Sequence, residues 1–197
     1  MGRQSKNTYR LFLLLILIAG IALRVWDFGS IPGGVNQDGA MAAVDAKALA
    51  DYGTDRFGTW LPCHLYAWGY GQMSSLMSYL IAPLVKLFGL SVVTMRIPSL
   101  LCSIAGGVFF WLFMRDVFGE RAGLIAALLV AINPWHLIQS RWALDCNLLP
   151  HFFMGGLYFL NRGLTEKKRF LYISMLFFSL CMYCYCLLYT SDAADEL

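Results

Sequence analysis

Carboxylates are sparse in this sequence and unevenly placed. Of its 12 acidic residues, Asp27, Asp38, Asp45, Asp51 and Asp55 fall within one early polar stretch, and Asp145 stands just ahead of an apolar run that begins at Leu148. Two carboxylates brought together at a membrane surface suit a general base, a divalent-metal site, or both. Asp38 follows the turn Ile31-Pro32-Gly33-Gly34 and opens a stretch of helical period, 38–52, with Met41, Val44, Ala48 and Leu49 on one side. At that position it could instead cap the helix. Asp145 could instead pair with Arg141, one helical turn away. Asp45, Asp51 and Asp55 read as solvated loop charges. No cofactor is called for by any motif; if a divalent metal ion binds, Asp38 and Asp145 are the residues to hold it.

The segment Asn133-Pro134-Trp135-His136 through Arg141-Trp142-Ala143-Leu144-Asp145 is dense in polar and aromatic groups. Pro134 should kink or end its helix, and Trp135 and Trp142 suit a lipid interface. Arg141 could clamp a phosphate with its planar fork, or simply snorkel to the headgroups. His136 reads as a packed interfacial histidine. Cys181 and Cys184 have C-x-x-C spacing, with Cys186 close behind, but sit in an apolar run, where packing is the expected role. Cys63 and Cys146 could both face outward and pair. The chain has no Gly-rich phosphate loop, no G-x-S-x-G and no H-E-x-x-H.

The elements that must position these groups are membrane helices. The chain of 197 residues is 59% hydrophobic and 14% charged, with mean hydropathy +0.61, far from a soluble domain. The same balance excludes a disordered tail and a nucleic-acid binder. Aromatic content of 15% suits interfacial anchoring. Apolar runs predict about five transmembrane helices, near 9–26, 98–114, 122–138, 148–160 and 170–189; the first could also be read as a cleaved signal peptide. The run 73–90 is ambiguous because it contains Pro83, Lys86 and Gly89. If it stays outside, the inner loops hold Arg3, Lys6, Arg10, Arg115, Arg121, Arg162, Lys167, Lys168 and Arg169; if it crosses, only Arg3, Lys6, Arg10, Arg96 and Arg141 remain inside. The positive-inside rule favours the first arrangement. The run then becomes an amphipathic helix on the outer leaflet, and 27–97 one long outer loop. The fold class expected is all-α integral membrane, with amphipathic juxtamembrane helices in that loop.

Taken in order, Pro32-Gly33-Gly34-Val35-Asn36-Gln37-Asp38, Trp68-Gly69-Tyr70-Gly71-Gln72, the amphipathic 79–89, Arg96-Ile97-Pro98-Ser99 and Asn133-Pro134-Trp135-His136 to Asp145 resemble the N-terminal part of the C-type membrane glycosyltransferases. That superfamily includes the protein O-mannosyltransferases and the lipid A aminoarabinose transferases. The resemblance covers about residues 8 to 188. It implies transfer of a sugar from a polyprenyl-phosphate donor to a protein, lipid or glycan acceptor at the outer face of the membrane. By position it implies Asp38 and Asp145 as catalytic residues. Arg141, Arg96 and Lys86 become candidates for the phosphate, with Gln72 and His136 as further substrate contacts. The chain has Gly39 where several relatives have a second acidic residue, and Gly71-Gln72 where some carry Lys-Pro.

The expected setting is a bacterial plasma membrane with the N-terminus in the cytoplasm, and the expected partners are the lipid-linked donor and the bilayer. Relatives have roughly twice as many spans, so 1–189 reads as the N-terminal part of the glycosyltransferase domain, inactive alone, and 190–197 as a non-native or truncated tail. The competing class is a transporter or flippase subunit using Asp38 and Asp145 to bind an ion or substrate.

Overall fold

The computed structural model describes residues 3–67 and 71–184. Trp68, Gly69 and Tyr70, Cys186, the end of the fifth expected span and the tail 190–197 lie outside the described residues. The chain is mostly helical: α1 (Arg3–Val25), α2 (Gln37–Tyr52), α3 (Leu76–Phe88), α4 (Val92–Phe118), α5 (Glu120–Ile132), α6 (Pro134–Gln139), α7 (Leu149–Thr165) and α8 (Arg169–Cys184). A 3-10 turn, Asp145–Leu148, leads into α7. Between α2 and α3 lies a small antiparallel hairpin, β1 (His64–Ala67) with β2 (Gly71–Ser74), pairing Leu65 with Met73 and Tyr66 with Gln72. The hairpin is an addition to the all-α expectation.

Two helices are long and apolar enough to cross a membrane, Asn7–Val25 and Val92–Phe118. They are inside-out relative to a soluble core: Leu11, Phe12, Leu14, Leu15 and Ile18 of α1 are all more than half exposed. Such a surface suits contact with hydrocarbon. Ser91 caps α4 by accepting from the Thr94 N–H, 3.1 Å, so the helix starts six residues before Pro98 and runs through it. The stretch 122–138 is two helices. Asn133 and Pro134 end α5 after 13 residues, about 20 Å of rise, and Asn133 Oδ1 accepts from the His136 N–H to start α6.

The buried core lies in the layer formed by the loop 27–97. Ala42, Ala43, Ala46 and Leu49 of α2 pack on Leu65, Met73 and Met77, Ile81 and Val85 of α3, with Met95, Ala143 and Leu148 closing the cluster. Small residues on α2 let the helices approach closely. The face buried is rotated from the one periodicity suggested: Val44 is half exposed, while Asp45 is 1% exposed. In the apolar layer the close contacts are again at small residues: His151 of α7 lies against Gly106 of α4, and Phe177 and Phe178 of α8 against Gly155 and Gly156.

Candidate active site

Two buried arginines fold the segment that delivers Asp38. Arg96, in the second turn of α4 and 2% exposed, donates through Nη1 to the carbonyls of Phe28 (3.0 Å), Gly29 (3.2 Å) and Ile31 (3.4 Å). Its Nη2 donates to Pro32 (2.7 Å) and Gly34 (2.8 Å). Arg141 donates to the Ile31, Trp26 and Leu23 carbonyls at the end of α1. A loop has no ladder to satisfy its carbonyls, and a guanidinium carries five donors in a fixed fork. Both arginines therefore act as templates for 23–34, with their Nη donors taken by main-chain carbonyls. This differs from the substrate-binding role the sequence suggested. It also removes the expected Asp145–Arg141 pair, since Arg141 is committed elsewhere.

Asp38 is the second residue of α2 and is exposed, with no hydrogen bond or ion pair among the described residues. The capping position belongs to Asn36, whose side chain makes no capping hydrogen bond to the helix. Next to Asp38, Gly39 is buried. A Cβ there would stand 2.7 Å from the Ala143 carbonyl and would also meet Asn36 Oδ1. The first turn of α2 thus rests directly on the segment between α6 and α7 that carries Asp145. This is the physical reason for glycine at this position.

Asp145 begins the 3-10 turn and is half-buried. Its Oδ1 accepts from the Cys146 N–H at 2.7 Å, and its Oδ2 accepts from Ser74 Oγ at 2.8 Å. The two carboxylates bear on one group: burial pushes the Cys146 thiol above its usual range, and the negative charges of Asp145 and then Asp38 add to the rise. Residues more than a hundred positions apart therefore act electrostatically on a single thiol. No group of three or more metal-ligating residues occurs among the described residues, so any divalent ion here would rest on Asp38 and Asp145 with main-chain or substrate oxygens.

The other expected contacts are dispersed. Gln72 is exposed on β2, on the same hairpin face as Ser74 by the two-residue period. Lys86 is exposed in the last turn of α3 and has no partner among the described residues. His136 accepts from Arg24 Nη2 through Nδ1, 2.7 Å, and its ring lies 5.1 Å from that of His151. It is an internal strut, as a packed histidine should be. Arg24 also tops an apolar cavity of about 130 Å³ between α1, α4 and α5, which neither carboxylate lines.

Some assignments need correction. Asp45 and Asp55 are buried, not solvated, at 1% and 3% exposure. Asp45 accepts from the Arg56 N–H and faces Arg56 Nη1 at 3.3 Å, while Asp55 Oδ1 accepts from the Phe57 and Thr59 N–H groups. Burial raises the Asp45 carboxyl above its ordinary range, partly offset by Arg56. Only Asp51 of the three is a surface charge, paired with Lys47. Cys63 and Cys146 are both free, so the disulfide does not form. Cys181 and Cys184 are buried free thiols, as packing predicts. Ser74 escaped the sequence reading because a serine does not signal its partner, and the packing role of Gly39 was equally invisible there.

No curated protein and no solved structure matches the chain. The family profile of dolichyl-phosphate-mannose-protein mannosyltransferases matches residues 73–190, which takes in Ser74, Lys86, Arg96, His136, Arg141 and Asp145 and begins after Asp38. With more than half of the chain matched and a helical fold bearing lipid-compatible spans, this membrane protein belongs to the dolichyl-phosphate-mannose-protein mannosyltransferase family of glycosyltransferases.

Proposed function

We propose that the chain forms the carboxylate-bearing half of an enzyme that moves a sugar from a polyprenyl-phosphate donor to an acceptor hydroxyl at the outer membrane face. The acceptor class offered by the family description is protein. Asp38 takes the proton from the acceptor hydroxyl as that oxygen attacks the anomeric carbon, and the bond to the lipid phosphate breaks with its electron pair. Asp145, fixed at both oxygens, orients a sugar hydroxyl beside it. Arg96 and Arg141 hold the loops, which leaves Lys86 and Gln72, both exposed, as donors for the departing phosphate.

The observation that carries this reading is the packing of Gly39, next to Asp38, against the Ala143 carbonyl, two residues before Asp145. Both carboxylates lie outside the two long apolar helices, which favours chemistry on a lipid headgroup over transport through the bundle. The membrane arrangement we propose keeps the N-terminus in the cytoplasm, the 27–97 layer outside and five spans in the matched region and before it, in a bacterial plasma membrane. Residues 1–189 form the domain.

The test is transfer of labelled sugar from a polyprenyl-phosphate donor in membranes containing the full-length gene product, comparing wild type with Asp145→Asn. Transfer by wild type and loss in the variant is the expected result. Movement of the lipid-linked sugar across the membrane without any transfer would overturn the enzyme reading and assign a flippase.

A further inference from the structure

Ser74 lies at the end of β2, 5% exposed, and touches two elements far from it in sequence. Its Oγ is 2.8 Å from Asp145 Oδ2 and 3.1 Å from the Cys184 carbonyl at the described end of α8. A hydroxyl has one proton to give. The carboxylate is the stronger acceptor and the nearer one, so the proton goes to Asp145. The Cys184 carbonyl is the second acceptor within its reach. Ser74 is thus placed either to fix Asp145 or merely to staple β2 to α8.

We infer that Ser74 is a positioning residue for the reaction, acting through Asp145, an inference that rests on the carboxylate reading of the site. The geometry argues for it in three steps. Asp145 has no cationic partner among the described residues, so its orientation depends on the two donors that reach it there. One of these, the Cys146 N–H at 2.7 Å, is the next residue of the same turn and moves with it. The other, Ser74, comes from the hairpin and ties the carboxylate to the core through Met73, its buried neighbour. Without Ser74 one carboxylate oxygen is free and the group can rotate about its χ2 torsion. A carboxylate that must meet a sugar hydroxyl in one orientation then loses its preorganisation.

The experiment is a double-mutant cycle in membranes with the full-length gene product, read as sugar transfer. Ser74→Ala should lower kcat at least about tenfold, the usual worth of a hydrogen bond to a charged group, with KM within about twofold. Ser74→Thr, which keeps the hydroxyl, should recover most of that loss. In an Asp145→Asn background, Ser74→Ala should cost nothing further, since the group it orients is gone. Wild-type kcat in Ser74→Ala would overturn the inference. So would losses that multiply in the double mutant, because a staple for α8 acts independently of Asp145. Should Ser74→Ala fail to accumulate, Ser74→Val and Ser74→Thr, of equal size, carry the same cycle. Full activity in Asp145→Asn would instead bring down the carboxylate reading itself, a result distinct from either failure of Ser74.

Discussion

Replacing Asp38 with Asn keeps the side-chain size and removes a negative charge and a proton acceptor. The structure sets the expected cost to folding. Asp38 makes no hydrogen bond or ion pair among the described residues, and its capping neighbour is Asn36. What the fold loses is the attraction between a carboxylate and the start of α2, about 0.3 to 1 kcal/mol at an exposed site. A general base typically contributes about 10² to 10⁴ in rate, or about 2.7 to 5.4 kcal/mol in the barrier. The catalytic effect therefore exceeds the folding effect several-fold, and the two are separable by experiment. Asp38→Asn should insert and accumulate like wild type while transfer falls at least about 10²-fold. Asp51→Asn is the control: its exposed pair with Lys47 is worth only a few tenths of a kcal/mol, and transfer should barely change. The assay is initial rate of sugar transfer from a polyprenyl-phosphate donor, normalised to protein in the membrane. Equal rates for Asp38→Asn and wild type would refute the reasoning and leave any chemistry to Asp145.

Arg96→Lys can serve at most three of the five carbonyls that Arg96 holds, so unfolding in detergent should be easier by roughly 2 to 4 kcal/mol; an unchanged melting temperature would show that the 28–34 loop is held otherwise. Gly39→Glu adds a side chain whose Cβ would press on the Ala143 carbonyl, so transfer should drop as α2 parts from the segment that carries Asp145, and a fully active variant would refute the close packing. The Asp45 carboxyl is raised in the fold above its ordinary 3.8, so between that value and the higher folded one the native state binds more protons than the unfolded. Stability against denaturant should fall as pH rises through this window, and Asp45→Asn should remove that dependence; a slope that persists in the variant would assign it to another group. Lys86 should react with an impermeant amine reagent added to intact cells, and labelling only after permeabilisation would invert the topology of everything downstream.

The residue pattern alone determined that this chain lives in a membrane, where most helices run, and which two carboxylates to examine. The reason is that hydrophobicity, proline breaks and charge asymmetry are local or additive properties, readable without knowing what touches what. The family assignment follows the same logic, since ordered motifs survive without contacts being known. Tertiary structure decided the partners. Arg96 and Arg141 looked like phosphate ligands because guanidinium groups suit phosphate; in the fold the nearest unsatisfied acceptors are the carbonyls of 23–34, and those carbonyls take the donors. Asp45 looked solvated because aspartate usually is, and it is buried because α2 turns that face toward Arg56 and the hairpin. The same holds for Ser74, whose meeting with Asp145 and Cys184 joins three distant stretches of chain. A hydrogen bond between such stretches has no periodicity and no spacing to betray it, so only the packed chain could place that serine beside the carboxylate.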